Sequence, residues 1–218
     1  MTERGMIFNG EMVRAILDGR KTQTRRPVKF PVHDKNLGCE LAGNELAGEL
    51  SAGNYLNSAF GKPGDRIWVR ETFQGPLFDY EQMDAYLEDS SRFETPEFCQ
   101  YAADGGHRPE YQDADDNLRH GWRPSIHMPR WASRILLEIT DVRVERLNSI
   151  HDVDAMREGI QNLTTCSHAD FGIPGVINAQ HPVRAFQLLW ESIYGADSWK
   201  FNPWVWVIEF KRVEGGAA

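Results

Sequence analysis

The sequence predicts an α+β fold that is rich in β-structure, a partly closed β-barrel with a few short flanking helices. Two observations support this class. Short segments of alternating apolar and polar residues recur between clusters of turn residues, and only three modest stretches have a helical period. A barrel is expected because curling the sheet removes the exposed edges that short strands would otherwise leave.

The first predicted elements are a short strand at residues 6–8 and a helix. Asn9 suits the N-cap position of this helix. Its apolar face is formed by Met12, Val13, Ile16 and Leu17. Gly19 is predicted to end the helix, since glycine accepts the left-handed conformation that follows many helices.

Residues 30–60 show no sustained period, and we predict an inserted loop or hairpin there. The strong turn signal Gly61-Lys62-Pro63-Gly64-Asp65 follows. Ile67 and Val69 then alternate with charged residues, which predicts a strand over residues 66–73.

The C-terminal part of the chain alternates between strand and helix patterns. Residues 132–147 fit one long bent strand or a hairpin. Helices are predicted at 152–158, where Gly159 follows, and at 182–194, and a closing strand at 204–213. At 218 residues we expect one domain over residues 1–213, with insertions at about 30–60 and 79–118 and a flexible tail at 214–218.

The net charge of −8 is unevenly distributed along the chain. Residues 14–29 contain six basic residues and one acidic residue, whereas residues 79–118 contain twelve acidic residues and two basic ones. The acidity therefore belongs to one segment, and the basic segment remains suited to phosphate groups. We interpret residues 79–118 as a solvated loop with a possible strand at 98–102. The alternative is a cover for the basic cleft, or a mimic of nucleic acid toward another protein.

Several classes of protein find no support in the sequence. There is no apolar leader and no run of eighteen apolar residues, so we expect a cytoplasmic location and no membrane partner. Cys39, Cys99 and Cys166 have no metal or disulfide spacing, and we expect reduced thiols. His120 and His127, with Asp113, Asp115 and Asp116 nearby, match no ligand motif, so neither a metal nor another cofactor is predicted.

The ordered set of motifs resembles the ASCH domain family, which is related to the PUA fold. Gly19, Lys21 and Arg26 match its G-x-K-x-x-x-x-R signature, and residues 61–71 resemble the strand that follows it. Residues 122–131, 141–159 and 204–210 are also similar to the family, in a branch typical of phages and prophages. The resemblance implies a barrel with a cleft that binds RNA or a modified nucleoside.

One small bacterial branch of that family consists of amidohydrolases that act on N4-acetylcytidine. Their lysine, the threonine three residues later and a glutamate on the next strand correspond here to Lys21, Thr24 and Glu71. The resemblance implies that Thr24 attacks, Lys21 takes its proton and Glu71 orients the ammonium or handles protons on the leaving amine. Because residues three apart face opposite sides of a strand, this chemistry requires a turn or bulge after Gly19.

The predicted binding groups for a nucleobase or RNA are basic and aromatic. They are Arg20, Arg25, Arg26, Arg66, Trp68, Arg70, Trp122, His127 and Arg130. Alternation places Trp68 on the face opposite Ile67 and Val69, which favours an exposed indole that can stack on a base. Trp131 can also stack, whereas Trp190, Trp204 and Trp206 lie in apolar periodic segments and are expected in the core.

Three functions remain open at this stage. The first is a hydrolase that deacylates a modified nucleoside through Lys21, Thr24 and Glu71. The second is a non-catalytic module that binds single-stranded RNA through its arginines. The third is a ribonuclease, for which no histidine pair is placed to act as acid and base.

Overall fold

The computed structural model describes residues 1–112, 117–165 and 168–213. Its strands are β1 (Glu3–Ile7), β2 (Gln23–Pro27), β3 (Val32–His33), β4 (Glu40–Leu41), β5 (Arg66–Arg70), β6 (Phe73–Gln74), β7 (Gln100–Tyr101), β8 (Glu110–Gln112), β9 (Leu118–His120), β10 (Leu136–Arg146), β11 (Gln161–Asn162), β12 (Phe171–Ile173), β13 (Ile177–Ala179) and β14 (Trp204–Arg212). Its α-helices are α1 (Gly10–Leu17), α2 (Gly43–Ser51), α3 (Met83–Glu88), α4 (Asp152–Arg157) and α5 (Pro182–Tyr194). Single turns of 3₁₀-helix include Ser125–His127 and Arg130–Ala132.

The main sheet is mixed and has the strand order β1–β5–β10–β14–β2. β1 runs parallel to β5, with Gly5 opposite Trp68, and β2 runs antiparallel to β14, with Thr24 opposite Ile208. The predicted α+β class is therefore confirmed. In the residues that the structure describes, this order is open and no closed barrel is found.

The opening helix forms as its end signals predict. The side-chain oxygen of Asn9 accepts a hydrogen bond from the Met12 amide at 2.9 Å, as an N-cap residue does. Val13 and Ile16 are buried, and Gly19 follows the helix with φ of +73°. Three irregular residues, Arg20, Lys21 and Thr22, then precede β2, which begins at Gln23.

Contacts divide the chain into two compact units. Unit 1 comprises Met1–Thr2, Ala15–Asp65 and Glu138–Lys211. One of its apolar clusters includes Leu147, Ala155, Ile160, Phe186, Trp190 and Val207, from β14, α4, α5 and the turns beside them. The segment 30–60, expected to be a loop or hairpin, contains the hairpin β3–β4 and also α2, whose buried Leu46 and Leu50 are four residues apart.

Unit 2 comprises Glu3–Arg14, Arg66–Leu137 and Arg212–Ala218, of which 113–116 and 214–218 lie outside the described residues. Phe73, Tyr101, Met128 and Ala132 form an apolar cluster in it. In its described residues, the acidic segment 79–118 has short helical turns and includes β7 within the predicted strand at 98–102. The rings of Tyr86, Phe93 and Phe98 form a chain of contacts with Phe78, which precedes the segment. The described part of the segment thus contains short helical turns and ring contacts as well as exposed carboxylates.

No helix among the described residues is long and apolar enough to cross a membrane. The predicted tail at 214–218 and the thiol of Cys166 lie outside those residues.

Candidate functional site

Lys21 lies inside unit 1, at the junction between the end of α1 and the start of β2. Its ammonium donates to the Glu158 carboxylate at 2.8 Å and to the Glu158 carbonyl at 2.9 Å, and its side chain has no exposed surface. Gly159, with φ of +107°, makes this approach possible, because a side chain there would meet Ala15 and Lys21. The carboxylate that holds Lys21 is thus that of Glu158.

Burial dominates the electrostatics of Lys21. Loss of hydration lowers the pKa of its ammonium below the usual value, and the nearby Arg26 and Arg25 act in the same direction. The ion pair with Glu158 opposes this shift and does not overcome it. The lowered pKa is the property that a lysine general base needs.

Arg25 extends the buried ion pair into a network. Its guanidinium contacts Glu158 at 3.1 Å, Glu145 at 2.7 Å and Asp154 at 3.4 Å, and its side chain is fully buried. The guanidinium also lies 5.9 Å from the centre of the Phe186 ring. Arg25, predicted to bind RNA, therefore ties β2 to β10, α4 and α5.

Thr24 is also buried, at 1% exposure, and stands between Gln23 and Arg25 on β2. Strand alternation directs its side chain away from the face that carries Arg25. The Lys21 ammonium shares Glu158 with Arg25 and so belongs to the Arg25 face. This geometry differs from the expected cleft that Lys21 and Thr24 would share; their catalytic roles stay predictions.

Glu71, the third predicted catalytic residue, is held within unit 2 by Arg134. Two hydrogen bonds of 3.0 Å join the guanidinium to the two carboxylate oxygens. Arg134 also makes two 2.7 Å bonds to Asp104 and lies 3.9 Å from the centre of the Tyr101 ring. Burial raises the pKa of the Glu71 carboxyl, and Arg134 opposes that shift.

The predicted alternation along β5 is confirmed. Ile67 and Val69 are buried at 0% and 1% exposure, whereas Arg66, Trp68 and Arg70 are half-buried on the other face. Gly5 of β1 is the register partner of Trp68, and a Cβ at Gly5 would lie 2.6 Å from the indole. The indole therefore lies against the bare backbone of β1.

Arg70 connects β5 to the 3₁₀ turn Ser125–His127. Its Nε donates to the Ser125 carbonyl at 3.1 Å and its Nη2 donates to the Ile126 carbonyl. The guanidinium carbon lies 5.4 Å from the centre of the Trp68 ring. His127, in the same turn, is exposed.

Two further arginines meet at Glu3 of β1. Arg130 donates to its carboxylate at 3.1 Å, and the Arg66 guanidinium lies 3.9 Å from its other oxygen. We name these groups the Trp68 face, which comprises Glu3, Gly5, Arg66, Trp68, Arg70, Ile126, His127 and Arg130. It brings five of the predicted binding residues onto neighbouring elements of one unit.

The other predicted binding residues are dispersed. Arg20 contacts Asp18 at 2.8 Å and the Gly159 carbonyl at 3.1 Å, and Arg26 is half-buried on β2. Trp122 and Trp131 are half-buried, and Trp131 packs on the Phe73 cluster. Of the tryptophans expected in the core, Trp190 and Trp206 are buried and Trp204 is half-buried beneath Arg146.

A cavity of about 610 Å³ lies in unit 1, apart from every predicted site residue. It is lined by Phe30, Pro31, Glu40, Leu41, Ala42 and Glu45. His120 lies 3.4 Å from Glu110, and in the described residues no three metal-ligating side chains cluster. Asp113, Asp115 and Asp116, considered with the histidines, fall outside that part of the chain.

Three important partners were not identified from the sequence. Glu158 had a signal, since it precedes Gly159, the glycine that ends α4. Arg134 and Glu3 had none, because their partners are distant in sequence.

The chain was compared with family models, curated protein sequences and solved structures, and none of these comparisons finds a match.

Proposed function

We propose that this protein binds single-stranded RNA on the Trp68 face, as a non-catalytic module of the ASCH type. Single-strand binders combine aromatic side chains, on which bases stack, with cationic groups that follow the backbone. Trp68 offers the first, and Arg66 and Arg130 offer the second. The proposal includes the PUA-like, partly closed barrel that the resemblance implies.

One observation carries the proposal: a half-exposed indole stands between two arginines on the outer face of a strand whose inner face is core. The indole points away from Ile67 and Val69 and lies against Gly5, which leaves part of it accessible to a base. Arg70 is fixed by two backbone carbonyls, so it braces the indole and leaves the phosphates to Arg66 and Arg130.

In this proposal the signature segment has a structural role. Lys21 and Arg25 hold β2 to α4 through Glu158, and neither side chain reaches the surface. The charge that reaches RNA then comes from β5 and from the turn at Arg130.

The test is fluorescence anisotropy with a labelled oligouridylate. We expect Trp68→Leu to weaken binding by roughly 5- to 160-fold, which corresponds to about 1–3 kcal/mol for one stacked base. Phe201→Leu is the matched control, since Phe201 is an aromatic residue that is 78% exposed in unit 1. Equal affinities of Trp68→Leu and the wild type would refute the proposal.

The second candidate is an amidohydrolase that removes the acetyl group of N4-acetylcytidine, with Lys21 and Thr24 of unit 1 as its reacting groups. The lowered pKa of Lys21 is the observation that favours it. This chemistry requires Lys21 and Thr24 to reach one cleft. The Thr24 hydroxyl would then attack the amide carbon and pass its proton to Lys21; cleavage of the C–N bond would release cytidine and leave an acetyl ester on Thr24, which water would hydrolyse to acetate.

Release of cytidine from N4-acetylcytidine, followed by chromatography, tests this candidate. Thr24→Val removes the hydroxyl at nearly constant volume and should abolish release, whereas Thr24→Ser keeps a hydroxyl and should retain part of it. Equal turnover by Thr24→Val and the wild type would exclude Thr24 as the nucleophile.

A further inference from the structure

The Arg66 and Arg130 guanidinium groups converge on a single carboxylate. Glu3 places one oxygen 3.1 Å from Nε of Arg130 and the other 3.9 Å from Nη1 of Arg66. Within the described residues, no other carboxylate lies within 4 Å of either guanidinium. The two cations therefore form a cradle for one anionic group.

This cradle is open to solvent. The side chains of Glu3, Arg66 and Arg130 are 35%, 29% and 40% exposed. Ion pairs with such exposure contribute little to stability, so an anion arriving from solvent can displace the carboxylate. A phosphate group has the charge and the oxygen acceptors to do so, because it accepts hydrogen bonds from two arginines at once.

The cradle also adjoins the proposed stacking platform. Arg66 and Trp68 are two residues apart on one face of β5, which separates them by roughly 7 Å along the strand. Gly5 stands opposite Trp68 and Glu3 opposite Arg66, so Glu3 and Trp68 belong to register pairs two residues apart on the two paired strands. One RNA strand can therefore place a base on the indole and a phosphate in the cradle.

We propose that Arg66 and Arg130 form a phosphate subsite for the RNA strand, and that Glu3 occupies this subsite when RNA is absent. The inference rests on the proposed function of the Trp68 face. Glu3 thereby keeps the two arginines in position and also competes with the ligand, so its removal strengthens binding.

The decisive variant is Glu3→Gln, which keeps the shape of the side chain and removes its charge. We expect it to bind labelled oligouridylate roughly 3- to 10-fold more tightly than the wild type. Glu11→Gln is the matched control, because Glu11 is 34% exposed in unit 2 and pairs with Arg14. It removes the same charge and should change affinity by less than about 2-fold, since exposed charges beyond the contact are screened.

A double-variant cycle shows whether the gain acts through the cradle. In an Arg130→Gln background, Glu3→Gln should no longer strengthen binding, because the subsite has lost one cation. Unchanged or weaker binding by Glu3→Gln, an equal gain in Glu11→Gln, or a gain that persists without Arg130 would each overturn the subsite.

The outcomes separate this inference from the function on which it rests. If Trp68→Leu loses binding and Glu3→Gln gains none, the RNA function stands and the subsite falls. If the wild type and Glu3→Gln both fail to bind RNA, both proposals fall. Competition by inorganic phosphate distinguishes a phosphate of the RNA strand from a free phosphate anion. If phosphate displaces RNA from Glu3→Gln no better than sodium chloride of equal ionic strength does, the cradle binds a phosphate of the strand. If phosphate displaces RNA more strongly than sodium chloride does, the cradle is a site for small phosphate anions instead.

Discussion

At the scale of single residues, the molecule contains cations with opposite roles. Lys21 and Arg25 have no exposed side-chain surface, and their partners are carboxylates of unit 1. Arg66 and Arg130 face solvent and share one carboxylate. Buried ion pairs position elements, and removal of one partner leaves an unpaired charge in the interior.

The Lys21–Glu158 pair gives the first prediction. Lys21→Met should lower the free energy of unfolding by roughly 3 kcal/mol, at the lower end for a broken buried pair because Arg25 still contacts Glu158. Urea denaturation followed by circular dichroism measures the change. Lys200→Met, which removes an exposed lysine paired with Asp197, should leave stability within error of the wild type. Equal effects of the two substitutions would contradict a structural role for Lys21.

Glu71 gives a prediction about pH. Burial raises the pKa of its carboxyl in the folded protein, so the folded state binds a proton more readily than the unfolded chain. The contribution of this carboxyl group to stability is therefore fully present below its unfolded pKa near 4.5, and it is lost as the pH rises through the higher pKa of the folded state. As the pH rises from about 4 toward neutrality, the free energy of unfolding of the wild type should therefore fall relative to that of Glu71→Gln. If the free energy of unfolding of the wild type instead rises relative to that of the variant in this interval, the effect of Arg134 on the Glu71 pKa outweighs the effect of burial.

At the scale of elements, glycines determine how closely the parts approach. Gly159 ends α4 in the left-handed region, and a Cβ there would lie 3.2 Å from the Ala15 side chain. Gly195 ends α5 with φ of +99°, but no atom lies within 4 Å of its Cβ position. The two positions share a backbone requirement and differ in packing.

Alanine substitutions at Gly159 and Gly195 distinguish the cost of backbone strain from the cost of crowding against neighbouring side chains. Gly195→Ala should cost about 1–3 kcal/mol, because φ of +99° with ψ of 155° is a conformation that almost only glycine adopts. Gly159→Ala should cost roughly 1 kcal/mol more, because Ala15 and Lys21 must shift as well. Chemical denaturation of both variants measures the difference. If Gly159→Ala costs no more than Gly195→Ala, close packing of α4 against Lys21 is not required.

The elements show which parts of the fold a sequence can predict. α5 was expected at its observed bounds, and α1 has the predicted cap, because helical periodicity and end signals are local. α2 was missed because its glycines weaken the helical pattern, and its hydrophobic face becomes evident only from burial. The partners of Lys21 and Glu71 could not be predicted, since Glu158 and Arg134 are remote in sequence and ion pairs leave no periodic signal.

At the scale of the whole molecule, a chain of net charge −8 is expected to bind RNA only through local positive surface. The carboxylates of the segment 79–98 are exposed and lie near one another along the chain, where Arg92 is the only basic residue. Long-range attraction is therefore weak, and affinity depends on the few cations that contact phosphates directly.

The salt dependence of RNA binding measures how many cations make that contact. Each phosphate neutralised on a single strand contributes a slope of roughly −0.7 to log K against log salt, so Arg66 and Arg130, sharing one phosphate or holding two, predict about −0.7 to −1.4. Arg66→Gln should make the slope shallower, whereas Lys29→Gln, which removes an exposed lysine of the basic segment in unit 1, should leave it unchanged. Anisotropy titrations at several salt concentrations give both slopes. A wild-type slope of about −4 would require roughly six phosphate contacts, more than the cations of the Trp68 face can make. RNA would then bind to the basic segment around Lys21 and Arg25, whose buried side chains would have to become exposed on binding.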